Sequence, residues 1–141
     1  MAANKFLANN NVTQYDHDPD DADLNVVAWV PMRDYETFVA GIFRSVGTGA
    51  NDNIKIQAAT SAAGANATDV LAYSGDDPDA VGDVIWLETD AAEIQGASDS
   101  LSFTHVGLAV EFATGTDEAV VTYIRSRANF AGDGETSDSV A

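Results

Sequence analysis

Cysteine is absent from the 141 residues, which excludes disulfides, thiolate metal centres and cysteine nucleophiles together. Histidine is nearly absent as well. Only His17 and His105 offer an imidazole, and neither stands in a pattern that would position a general base or activate a nucleophile. The sequence has no Gly-x-Ser-x-Gly elbow, no His-Glu-x-x-His pair and no glycine-rich phosphate loop opening a helix. With 23 acidic residues, chance carboxylate pairs are unavoidable, so none marks a glycosidase couple. The chain reads as a non-enzyme that needs no cofactor. No apolar run approaches the roughly 20 residues that cross a bilayer. Met1-Ala2-Ala3-Asn4-Lys5-Phe6 has neither the basic region nor the apolar core of a signal peptide, so synthesis in a cytoplasm without export by that route is expected.

Positive charge is the next scarcity: 6 Lys and Arg face 23 Asp and Glu, for a formal net charge of −17 and a pI near 4.1. Such a surface repels nucleic-acid phosphates and anionic lipid, so neither is expected as a partner. Self-repulsion is tolerated best where salt screens it, because the Debye length shrinks from about 10 Å at 0.1 M to about 3 Å at 1 M. A salt-rich source is expected on that ground. In a field of carboxylates each of Arg33, Arg44, Arg125 and Arg127 is expected to pair with an acid, within the fold or across a subunit interface.

What is present is a globular composition, 45% hydrophobic and 21% charged. A domain of this length buries roughly 68% of its unfolded surface and needs no metal or disulfide to fold. Residues 1–23 are rich in Asn and Asp, with Phe6, Leu7, Val12 and Tyr15 as scattered apolar anchors. They read as an extended acidic arm ordered by a neighbour or by the domain surface. Residues 131–141 lack a periodic apolar pattern and read as a loose tail.

Residues 24–130 form the domain, and their dominant signal is period-2 alternation in short runs bounded by Gly, Asn, Asp or Pro. Strands are predicted over Leu24 to Val30, ended by Pro31, and over Tyr35 to Val46, where Arg44 interrupts the apolar face of Phe38, Ala40, Ile42 and Val46. Further strands are predicted over Asn53 to Thr60, Val70 to Tyr73 and Val84 to Leu87, with one helical turn over Asp90 to Ile94. Phe103 to Phe112 and Ala119 to Arg125, joined by a Gly115 turn, read as a closing hairpin. Six to eight such strands with almost no helical pattern predict an all-β fold, an antiparallel β-sandwich or jelly roll.

Two acidic runs invite a metal reading. Asp16, Asp18 and Asp20 could supply oxygen ligands to calcium, but Asp21 stands where an EF-hand needs Gly and Val27 where it needs Glu, so a solvated acidic loop is preferred. Asp76-Asp77-Pro78-Asp79 with Asp83 reads first as a turn. His105, beside Thr104, is assigned to hydrogen bonding or packing on a strand. Trp29 and Trp86, with Tyr35, Tyr73 and Tyr123, could form a carbohydrate platform, although aromatics in strands more often serve core or interface.

Taken in order, five segments resemble a kind of small structural protein encoded among the head genes of tailed bacteriophages. They are Asp34-Tyr35-Glu36, Ile56-Gln57-Ala58-Ala59-Thr60-Ser61-Ala62-Ala63-Gly64-Ala65, Trp86-Leu87-Glu88-Thr89-Asp90-Ala91-Ala92-Glu93-Ile94, Phe103-Thr104-His105-Val106 and Arg125-Ser126-Arg127. The resemblance covers roughly residues 34 to 130. It implies a β-sandwich virion component, most readily a capsid decoration or cement protein that is a homo-oligomer on the outer capsid surface and binds the major capsid protein. On this reading Arg33, Arg44, Arg125 and Arg127, with Phe6, Leu7 and Tyr15 of the arm, make the contacts. A neck, tail or fibre-base component and a carbohydrate-binding module using Trp29 or Trp86 are the alternatives.

Overall fold

A computed structural model gives the fold and describes residues 9–19, 22–47, 53–75 and 78–127. Its strands are β1 (Asn10–His17), β2 (Leu24–Val26), β3 (Val30–Pro31), β4 (Thr37–Val46), β5 (Asn53–Ala59), β6 (Thr68–Ala72), β7 (Val84–Asp90), β8 (His105–Glu111) and β9 (Glu118–Ser126), and a short helix, α1 (Ala91–Gly96), lies between β7 and β8. Sheet 1 has the order β1-β9-β4-β7 and sheet 2 the order β2-β8-β5-β6, with β3 continuing along β8 beyond β2. Every pairing is antiparallel. The partners are nested: β1 with β9, β2 and β3 with β8, β4 with β7, β5 with β6. Nested pairing of this kind is the jelly roll, an antiparallel ribbon rolled into two facing sheets.

Alternation sets which side chains meet between the sheets. From sheet 1 come Phe38, Ala40 and Ile42 of β4, Leu87 of β7 and Val121 and Tyr123 of β9; from sheet 2 come Ile54, Ile56 and Ala58 of β5 and Val106, Leu108 and Val110 of β8. All are buried. β8 is covered on both faces, because residues 27–29 cross over it closely enough that a Cβ on Gly107 would lie 2.5 Å from the Ala28 carbonyl oxygen. Helix α1 begins where Asp90 accepts from the Glu93 N–H while the Glu93 carboxylate takes the Asp90 N–H, a complete capping box.

The structure corrects two sequence expectations. β8 and β9 are not a hairpin: they lie in opposite sheets, and residues 112–117 carry the chain across the roughly 10 Å between sheets. Their apolar faces look at each other through the core, a pattern that an arch and a hairpin share. The sandwich also begins before residue 24, since Asn10–His17, read as part of an extended arm, pairs with β9 along its whole length, from Asn10 opposite Ser126 to His17 opposite Ala119. Of the two sources of order expected for that segment, the domain surface supplies it for residues 10–17. Among the described residues no helix is long and apolar enough to cross a membrane.

Candidate functional site

Three arginines, Arg33, Arg125 and Arg127, lie at the end of the sandwich that carries α1. There β3 ends and turns through Arg33 and Asp34 into β4, beside the end of β9. Asp34 sits at φ 71, a left-handed conformation that few side chains adopt without cost. The turn is held by the Tyr35 N–H on the Met32 carbonyl (3.0 Å) and the Glu36 N–H on the Ser126 carbonyl (2.7 Å). Arg125 lies over the Tyr35 ring at 4.6 Å and Arg127 over the same ring at 5.6 Å. Arg33 and Arg127 are exposed. Asp34 and Glu36 share the turn, so this end is mixed in charge rather than purely basic.

Arg125 is different from its neighbours. It is buried, and its guanidinium donates to the Pro31 carbonyl (2.7 Å) and to Asn11 Oδ1 (2.8 Å). A carbonyl and an amide meet it rather than an acid, so it fastens β3, β9 and β1 together. Ser126 Oγ donates to Asn10 Oδ1, and the Arg127 N–H to the Asn9 carbonyl (2.8 Å), which ties the entry of β1 to the same end.

At the opposite end the expected contact residue Arg44 is fully buried and unavailable to a partner. It occupies the inward parity of β4, the feature that made it interrupt an apolar face in the sequence. Nη1 donates to the Pro78 carbonyl (2.9 Å) and Nε to the Val46 carbonyl (3.2 Å). Nη2 lies 2.8 Å from Asp117 Oδ2, an ion pair by distance rather than a well-aligned hydrogen bond, and the guanidinium covers the Phe112 ring at 5.3 Å. This is the within-fold acid partner that the sequence reading allowed. Residues 78–83, the described part of the second acidic run, turn around it, with Asp83 Oδ2 accepting from the Ala80 N–H (3.1 Å).

Tyr15 is likewise half-buried, edge-on to Tyr123 at 5.1 Å, and serves the core instead of a surface contact. His17 is buried against Phe112 with ring centroids 5.6 Å apart, not in a free segment. Burial pushes its pKa below the ordinary histidine value, against a smaller opposing pull from Asp18. His105 is half-exposed, with Nδ1 2.8 Å from Thr104 Oγ1, a hydrogen-bonding place on its strand. Asp16 is a strand residue and Asp18 follows it; among the described residues no three carboxylates or imidazoles are grouped to hold a metal. Phe6, Leu7 and Asp20 lie outside the described residues.

The aromatics do not form one platform. Tyr123 is inside the core, Trp29 packs half-buried on Gly64, and only Trp86 stands open, 55% exposed on the outer face of sheet 1. A hollow of about 500 Å³ lies beside it, lined by Gln14, Asp16, Phe43, Val84, Val120 and Thr122 among others. Sequence reasoning missed this hollow because it took β1, which supplies Gln14 and Asp16, for an arm. The alternation Thr13, Tyr15, His17 was the available signal.

No family model and no curated protein matches the sequence. Several solved structures are similar in backbone, three of them as follows. One carries the description "Bacillus endospore appendages form a novel family of disulfide-linked pili", at 15% identity over 84% of this chain and 88% of that one, TM-score 0.43. Another is the SPBc2 prophage-derived protein YomS, at 14% identity over 82% and 93%, TM-score 0.46. The third is from the infectious bursal disease virus Gx strain, at 11% identity over 84% and 32%, TM-score 0.42; this chain spans about a third of that one.

Proposed function

We propose that this chain is a virion structural protein, a decoration subunit seated on the major capsid lattice of a tailed virus. One observation carries the reading: the segments that resemble phage head proteins, scattered from residue 34 to residue 127, each bring one end to the α1 end of the sandwich. Tyr35 meets Arg125 and Arg127. The Ala91 N–H bonds the Glu36 carbonyl (2.8 Å), and the Thr104 N–H bonds the Ala59 carbonyl (2.9 Å). Many residues of these segments are core, Ile56, Ala58, Leu87, Ile94, Phe103 and Val106 among them, so a contact surface has to come from the exposed residues beside them. The seat is then the exposed pair Arg33 and Arg127 around Tyr35, with Arg125 as the buried fastener behind them. High like charge elsewhere keeps free copies apart before assembly and gives packaged DNA nothing to bind.

The test has two parts. Mass spectrometry of purified particles should find this chain in a stoichiometry comparable with the capsid protein. A single ring's worth of copies would move it to the neck or tail. The double variant Arg33→Glu/Arg127→Glu should fold normally and co-sediment with stripped capsids at least about tenfold more weakly, since truncated interface hot spots commonly cost 2 kcal/mol or more. Undiminished binding would place the seat elsewhere.

A further inference from the structure

The outer face of sheet 1 is unlike the rest of this acidic surface. Cross-strand register lays it out in three rows: Val12, Ile124, Val39 and Glu88; Gln14, Thr122, Gly41 and Trp86; Asp16, Val120, Phe43 and Val84. Within these rows only Asp16 and Glu88 carry charge, both on edge strands; Asp90 and Glu118 lie on the same face towards its two ends. Gly41 gives the face its shape. A Cβ there would lie 2.3 Å from Trp86 Cζ3, so the glycine lets the indole settle across β4, while the rest of the ring stays open to solvent. Opposite the indole stand an amide, a carboxylate and a hydroxyl, from Gln14, Asp16 and Thr122, all on the rim of the same hollow.

Size and chemistry choose the occupant. Four steps along a strand and three strand spacings give these rows a backbone footprint of about 14 Å by 14 Å, so an interface burying the usual roughly 800 Å² of accessible surface per partner would have to run onto the charged ends of the face. A second copy or a capsid subunit needs more. The hollow, at about 500 Å³, lies within the range of small-ligand sites. An anionic ligand would meet Asp16 in a field of net charge −17. We infer that the hollow binds a neutral, hydroxyl-rich sugar ring. Its C–H face lies on the electron-rich face of Trp86, and its hydroxyls donate to Asp16 and exchange hydrogen bonds with Gln14 and Thr122. The site is separate from the α1 end, so a decoration subunit seated there would keep the hollow open to a glycan.

The experiment titrates the full chain with a panel of neutral gluco- and galacto-oligosaccharides, read by saturation-transfer NMR on the sugar ring protons. At least one member should bind at millimolar concentration or below. Trp86→Ala should weaken it roughly tenfold or more with little change in melting temperature, because the ring is over half exposed. Asp16→Asn should weaken binding as well, and Arg33→Glu/Arg127→Glu should leave it intact, which separates this site from the capsid seat. Silence across the panel, equal binding by Trp86→Ala, or binding confined to anionic sugars would overturn the inference.

Discussion

Arg44 shows how much one residue can commit a fold to a charge in its interior. Its guanidinium is out of water, and Asp117, 2% exposed, is its ionic partner. Removing one member of a buried pair leaves the other uncompensated, which costs about 3–5 kcal/mol, whereas replacing both by apolar groups is often neutral. Arg44→Ala should therefore lower stability by about that amount in urea unfolding, and Arg44→Met/Asp117→Leu should recover part of it. The double variant still lacks the Thr114 N–H bond to Asp117 Oδ2 (3.2 Å) and the Arg44 bonds to the Pro78 and Val46 carbonyls, a deficit of about 1 kcal/mol each. Equal losses in the single and double variants would mean the pair contributes nothing beyond its volume. His17 adds a pH dependence of definite sign. Its pKa is depressed in the folded state, so the unfolded chain takes up a proton first as pH falls below about 6.5. Its contribution is present above that pH and is lost as pH falls toward the folded value. The wild-type melting temperature should drop between pH 7.5 and 5.5 more steeply than that of His17→Leu, and parallel curves would refute the assignment.

At the scale of elements, β2 and β3 are one strand interrupted, and the interruption is where Tyr123 enters. Residues 27–29 leave the regular ladder and cross over the face of β8, with the Val27 N–H still on the Leu108 carbonyl (2.9 Å), and the Tyr123 hydroxyl reaches from sheet 1 to accept the Leu108 N–H (2.8 Å) and donate to the Ala28 carbonyl (2.9 Å). Burial also drives its pKa upward, so the phenol stays protonated as a donor. Tyr123→Phe keeps the ring but strands both backbone groups, and should cost about 1–3 kcal/mol in chemical denaturation. No measurable loss would show that water replaces the hydroxyl. Strand parity was legible where one face alone is apolar, as with Ile54, Ile56 and Ala58, and the Asp90 helical turn was legible from its cap. The hairpin error arose because inward alternation in β8 and β9 is the same whether the facing residues are neighbours in a sheet or lie across a core. β1 was hidden by its Asn and Asp content, since its inward residues Tyr15 and His17 are only partly apolar. The site was legible in part: sequence picked out the scarce arginines, but strand parity turns Arg44 inward, while Arg127, of the same parity as buried Arg125, stays out because it lies beyond the end of β9.

For the whole molecule, a net charge of −17 makes salt act in two opposite directions. Within the folded chain exposed carboxylates repel, and shortening the Debye length from about 10 Å at 0.1 M to about 3 Å at 1 M removes most of that repulsion. The buried Arg44–Asp117 pair is screened far less, so it opposes the trend only weakly. The melting temperature should rise by several degrees between 0.1 and 1 M, equally with sodium and potassium chloride, as a screening effect requires. At a capsid seat built on Arg33 and Arg127 the same screening weakens attraction, so affinity should fall over the same range. Opposite signs from one variable separate the two roles of charge. If both stability and capsid affinity rose with salt, attachment would be apolar, and the α1 end would lose its claim to be the seat.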